Sequence, residues 1–152
     1  MSIFERLKSG VRCASHADTL KLGRAIAQAL PDEAVVTLEG DLGAGKTTLV
    51  KGFALAWGIE DPVTSPSFNI LHLYKGSGER LLAHMDAYRL DPADDPLDSL
   101  MLDDFLRPPY CLAIEWPERL GELPAQPTLR LSIAIEPDQA RHVRAAPPVS
   151  GR

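Results

Sequence analysis

The sequence is short of cysteine: Cys13 and Cys111 are its only two. Two thiols build no disulfide framework, and neither has a His or Cys neighbour at metal-ligand spacing. Cys111 lies in the apolar run Tyr110-Cys111-Leu112-Ala113-Ile114, where a buried, inert thiol is expected. Positive charge is also scarce, since 16 Lys and Arg against 21 Asp and Glu leave a formal charge of −5. A chain so balanced lacks the broad basic face that binding to a nucleic-acid backbone needs, which argues against a dedicated DNA or RNA binder. No apolar run approaches the ~20 residues of a membrane-spanning helix. The start, Met1-Ser2-Ile3-Phe4-Glu5-Arg6, lacks the apolar core of a secretory signal. The expected compartment is therefore the reducing cytoplasm, with no membrane partner.

What is present is the composition of one globular domain: 152 residues, 45% hydrophobic and 24% charged. A chain of this length buries enough surface to need no disulfide or metal staple. The domain is expected over residues 12–146, with flexible ends at 1–11 and 147–152. Residues 15–30 read as an amphipathic helix capped by Ser15 or Asp18, with Leu20, Gly23, Ala27 and Leu30 at helical spacing and Pro31 as its stop. Residues 34–38 are a short apolar run of the kind a buried parallel strand shows. A second helix is expected over 47–57, with Gly58 as its left-handed cap. Residues 68–74, 80–86 and 110–115 are further strands. Leu129, Leu131, Ile133 and Ile135 alternate as a half-exposed antiparallel strand would, and residues 141–145 pair with it. Ten of the 13 prolines fall at or after Pro92, so the second half favours strands and short connections. The sum is an α/β domain with a mixed sheet: a parallel core, antiparallel flanking strands, and helices on its faces.

One segment carries chemistry by itself. Gly40-Asp41-Leu42-Gly43-Ala44-Gly45-Lys46-Thr47 fits the phosphate-loop pattern G-x-x-x-x-G-K-[ST] without a mismatch, between an apolar strand and a helical pattern. Its glycines let the backbone approach a phosphate closely, and successive N–H groups form an anion nest at the positive end of the following helix. Asp41, Leu42, Gly43, Ala44, Gly45, Lys46, Thr47 and Thr48 are thus the candidate nucleotide-binding residues. Lys46 is expected to reach the β- and γ-phosphates, and the Thr47 hydroxyl to coordinate Mg2+. The bland alternative is a glycine-rich turn with a chance lysine. None of the five lysines sits in the Asn/Thr-Lys-x-Asp element of guanine-specific GTPases, which points to ATP or to weak base selectivity.

Three later segments narrow the reading. Thr64-Ser65-Pro66-Ser67-Phe68, His84-Met85-Asp86-Ala87-Tyr88-Arg89 and Ile114-Glu115-Trp116-Pro117-Glu118 follow the loop in that order. With residues 40–48 they make the chain resemble the TsaE family, the ATPase of bacterial tRNA threonylcarbamoyladenosine biosynthesis, over about Thr19 to Arg144. That family shows a GDLGAGKT loop, then SPTF, HxDxYR and EWPE segments. Ser67 stands here for the usual threonine of SPTF, and Asp98-Ser99-Leu100-Met101 departs from the family's Glu-x-x-Gly.

Glu115 ends an apolar strand, where a phosphate-binding fold places a carboxylate to hold Mg2+ directly or through water; otherwise it is a solvated strand-end glutamate. Asp86 also ends a strand and either orients the attacking water or shares the metal shell. Lys46, Asp86 and Glu115 are the candidate catalytic residues, with Thr47 and Glu115 the candidate metal ligands. The resemblance makes Trp116 a site-proximal aromatic, against a reading as core packing, and makes Ser65 and Ser67 switch-like. Tyr88 and His84 are either support or function, and Arg89 either reaches a phosphate or pairs with Asp91 or Asp94. The resemblance also brings the helix bearing Asp18 and Thr19 near the base. It implies ATP and Mg2+ as cofactors, a TsaB–TsaD complex as partner, and contact with tRNA only indirectly. With no arginine finger evident in cis, low intrinsic turnover raised by a partner is expected. A small-molecule kinase and a nucleotide-gated interaction module are the alternatives.

Overall fold

A computed structural model describes residues 2–63, 70–90, 102–104, 106–120 and 122–146. In chain order the elements are α1 (Ile3–Ser9), β1 (Val11–Cys13), α2 (His16–Ala29), β2 (Glu33–Gly40), α3 (Lys46–Ala56), β3 (Leu71–Lys75), β4 (Leu81–Asp86), β5 (Tyr110–Glu115), β6 (Leu129–Ile135) and β7 (Arg141–Ala145). Short 3-10 turns lie at Ser77–Glu79, Leu102–Asp104 and Pro117–Arg119. The seven strands form one sheet in the order β1-β7-β6-β2-β5-β4-β3. Its core, β6-β2-β5-β4, is parallel, and β3 and β7 run antiparallel at its two sides. The mixed sheet expected from the sequence is thus present, with antiparallel strands on both flanks.

β2 is the central strand, and its pattern follows from that place. Ala34 through Leu38 are all buried, because a central parallel strand is covered on both faces. Ala34, Val36 and Leu38 join the larger core with Leu22, Ile26, Leu49 and Phe53 under α2 and α3. Val35 faces the other way, into a smaller core with Met85, Leu112, Ile114, Leu102 and Leu120. The four parallel strands end at Gly40, Asp86, Glu115 and Ile135, so their carboxyl edge gathers the candidate residues. In open α/β sheets, ligands bind at that edge, where successive connections leave in opposite directions.

Local signals account for the helix ends. Ser15 Oγ accepts from the Asp18 N–H while Asp18 Oδ2 accepts from the Ala14 N–H, a reciprocal cap at the start of α2. Both candidate caps are therefore used. α3 closes with Ile59 N–H on Ala54 O, Gly58 N–H on Leu55 O, and Gly58 at φ +71, a Schellman stop at the expected glycine.

Four expectations need correction. Of the stretch 1–11, the described residues 2–11 are not a loose end: α1 is capped by Ser2, Leu7 is fully buried, and β1 pairs antiparallel with β7. A seven-residue helix has no stability alone, so packing of Leu7, Ile3 and Phe4 on the core is what orders it. The buried stripe of α2 is Thr19, Leu22, Gly23, Ile26 and Ala27; Leu20 and Leu30 lie at its margins. β6 is antiparallel only to β7 and parallel to β2, since facial alternation does not encode pairing direction. Ile135, the last of its alternating residues, is exposed where β6 runs out past the core. The stretch 147–152 lies outside the described residues. Cys111 is buried as expected, and burial pushes its thiol up to about 12.

α2 and α3 cross at two glycines. A Cβ on Gly52 would stand 2.5 Å from Leu20 O, 2.8 Å from Gly23 Cα and 2.9 Å from Arg24 N. Those neighbours are backbone and cannot rotate away. Gly52→Ala gains about 1 kcal/mol of helix propensity but overpacks the contact by about 1–3 kcal/mol. Net destabilisation is expected as a lower urea midpoint with an unchanged slope; a midpoint at or above that of the parent would show that the helices separate freely.

Candidate functional site

The loop between β2 and α3 is a short turn whose shape depends on two glycines. Gly43 and Gly45 sit at φ +81 and +110, conformations a side chain disfavours, and Gly45 is the residue from which α3 starts. The Ala44 N–H closes the turn onto Asp41 O at 3.0 Å, and the fully buried Ala44 methyl fastens the loop to the core. Leu42, at the tip, is 70% exposed. Lys46 is only 4% exposed; its Nζ donates to Gly40 O at 2.5 Å and Asp41 O at 2.9 Å, and lies 4.3 Å from the centroid of the Trp116 ring. Burial lowers the pKa of this ammonium, against the pull of Glu115, Asp86, Glu118 and Asp41, which raise it. A cation desolvated in this way gains from a fixed anion beside it.

Thr47, one residue on, points its hydroxyl at the end of β5. Thr47 Oγ1 donates to Glu115 Oε2 at 2.8 Å, and the same oxygen lies 2.5 Å from His84 Nε2. A carboxylate accepts only, so His84 Nε2 carries the hydrogen and donates. Glu115 and His84 are both buried, and His84 Nδ1 has no partner among the described residues. Glu115 is therefore a core carboxylate held by two side chains, and the reading of a solvated strand-end glutamate is set aside. Strand register explains the convergence: Asp86 pairs with Glu115 across β4 and β5, and His84, two residues earlier, shares their face. Asp86 is half-buried, and its Oδ1 accepts from the Tyr88 N–H at 2.9 Å, so it shapes the turn leaving β4.

Trp116 follows Glu115 in a left-handed conformation, φ 58 and ψ 51, unusual for a bulky residue. Its N–H reaches Leu38 O at 3.3 Å, and the turn brings the ring beneath Lys46 and within 4.8 Å of the Tyr88 ring. Both of its readings hold: the ring lies beside Lys46 and also packs against the smaller core. Ser65 and Ser67 lie outside the described residues, as do Asp91, Asp94 and Asp98. Arg89 is exposed.

Beside the loop is a cavity of about 360 Å³ bordered by Cys13, Ala14, Ser15, His16, Thr19, Gly43, Gly45, Thr48, Gln139 and Arg141. Thr19 and Thr48 were expected near a nucleotide; Asp18 is turned to its capping bond instead. Arg141 escaped the sequence reading. Its Nε donates to Ala44 O at 2.9 Å and its Nη2 to Gly43 O at 3.3 Å. Nothing local marks it, because the contact joins positions 97 apart.

Oxygen donors suited to a hard cation are present in the Thr47 hydroxyl and the Glu115 carboxylate, with Asp86 on the same edge. Among the described residues no group of three or more His, Cys, Asp or Glu is arranged to hold a metal. A Mg2+ here would thus take one or two protein oxygens, with phosphate and water oxygens completing its shell, as that ion commonly does. Among the described residues no helix is long and apolar enough to cross a membrane.

The chain is similar to known proteins over most of its length. Residues 13–144 match the family model described as threonylcarbamoyl adenosine biosynthesis protein TsaE. A tRNA threonylcarbamoyladenosine biosynthesis protein TsaE of Treponema pallidum is 36% identical over 138 residues, 90% of this chain and 100% of that one. The protein of the same name from Nostoc is 37% identical over 126 residues, 80% of this chain and 74% of the relative. The crystal structure of YdiB from Bacillus subtilis superposes with a TM-score of 0.70 at 34% identity, covering 88% of this chain and 81% of that one. The chain belongs to the TsaE family of threonylcarbamoyl adenosine biosynthesis proteins.

Proposed function

We propose that this protein is an ATP-binding, slowly hydrolysing ATPase that supports threonylcarbamoyladenosine modification of tRNA through a TsaB–TsaD complex. The observation that carries the reading is the buried Lys46 ammonium inside a glycine loop, next to a Thr47 hydroxyl bonded to a buried glutamate. Phosphoryl transfer to water asks a protein for charge stabilisation and for a held nucleophile, not for a covalent intermediate. Lys46 and the amides at the start of α3 supply positive potential at one point. Thr47 and Glu115 offer oxygens to Mg2+, which when bound would neutralise phosphate charge. Asp86, at the end of the neighbouring strand, is the candidate to orient water. The cavity beside the loop, with Thr19 and Thr48 on its wall, has room for the rest of a nucleotide. Net charge −5 favours tRNA reached through partners over direct binding.

The test is turnover of ATP with and without purified TsaB and TsaD. Phosphate released into water, raised by that pair and not by unrelated proteins, is the expected result. Absence of nucleotide affinity in magnesium buffer would overturn the proposal, and phosphate appearing on an organic acceptor would favour a kinase.

A further inference from the structure

We propose that Arg141 is a positioning residue of the phosphate loop: its guanidinium grips the loop's outer carbonyls and so fixes where the inner amide points. The inference rests on the nucleotide-binding reading above. Arg141 opens β7 and is clamped on both sides, paired with Cys13 of β1 and Ile135 of β6. From that fixed place Nε reaches Ala44 O at 2.9 Å and Nη2 reaches Gly43 O at 3.3 Å. Nη1 donates to Gln139 O in the turn before β7. Among the described residues no carboxylate lies within ion-pair distance of this guanidinium. Its partners are neutral carbonyls, and two of the three belong to the loop.

Peptide geometry turns this grip into a function. The C=O of Ala44 and the N–H of Gly45 share one trans plane and point in opposite directions. Seating that carbonyl on Arg141 therefore turns the Gly45 N–H away from β7, as one of the free donors ahead of α3. The preceding plane is held at both ends, with Gly43 O on Nη2 and the Ala44 N–H on Asp41 O. A loop with left-handed glycines at 43 and 45 has wide backbone freedom, and this fork removes it before any ligand arrives. A lysine at 141 would keep the charge but lack the planar fork that spans two carbonyls.

Two variants, Arg141→Ala and Arg141→Lys, test the assignment by two readouts. One is equilibrium binding of a non-hydrolysable ATP analogue with Mg2+; the other is amide hydrogen exchange in the protein alone. Arg141→Ala is expected to bind about tenfold more weakly or worse, with exchange at residues 43–46 faster by a similar factor and the interiors of β2 and α3 unchanged. Arg141→Lys should recover only part of each loss. Parental affinity and loop protection in Arg141→Ala would overturn the inference, as would faster exchange spread evenly through β2 and α3. Should the alanine variant not fold, full parental values in Arg141→Lys would overturn it equally. If the unmodified protein binds no analogue, the nucleotide reading fails, and loop exchange still decides the role of Arg141.

Discussion

Lys46→Ala is expected to lower ATP turnover by about 10²–10³-fold, the usual effect of deleting one preorganised charge donor at a transferring phosphate. The fold should survive the change. Among the described residues the ammonium is hydrogen-bonded to the carbonyls of Gly40 and Asp41 alone, and burial already works against its charged form. Removing it relieves that cost and leaves two carbonyls near the solvent edge of the loop. Thermal unfolding should therefore move by only a few degrees while turnover collapses. Turnover at the parental rate, in a variant that still binds ATP, would remove Lys46 from the chemistry.

Glu115→Gln is expected to reduce turnover by about 10²-fold or more, within the range found for groups that act directly on a transferring centre. The amide keeps the shape of the carboxylate and can still accept from Thr47 Oγ1 and His84 Nε2 through its oxygen. What it loses is the negative charge. Nucleotide affinity measured without metal should change little, so the deficit belongs in kcat and in the Mg2+ dependence. Glu115→Ala is a poorer test, because it would leave His84 buried with neither ring nitrogen bonded, at about 1–3 kcal/mol. An amide variant with parental kcat and parental Mg2+ dependence would show that this carboxylate serves only the packing of β4 against α3.

The parts of this architecture that are local in sequence were also the parts legible there. The phosphate loop, the start of α2 at Ser15, the Gly58 stop, and the bounds of β5 and β7 each depend on a few adjacent residues. That Thr47 and Glu115 lie within hydrogen-bond reach could be anticipated because both sit at strand and helix ends that a phosphate-binding fold brings together. Other features depend on pairing that no window of sequence contains. Ile3, Phe4 and Leu7 give one turn of helical spacing, too short to tell from chance, and only the core waiting for Leu7 makes α1 a helix. For His84 the sequence leaves support and function open, and only the sheet register sets it beside Glu115. Leu20, Gly23, Ala27 and Leu30 keep helical spacing, yet α2 buries Leu22 and Ile26 in the core beside Leu49 and Phe53 of α3, which no window of sequence around α2 contains.

The seat of Arg141 on Ala44 has a consequence for how the molecule comes into being. The loop is synthesised before its outer brace, which is 97 positions downstream and is itself held in a ladder between β1 and β6. Contacts of such long range form late, after local helices and neighbouring strands have assembled. A nascent polypeptide leaving the ribosome would thus carry its phosphate-loop motif without this brace until β7 had emerged and joined the sheet.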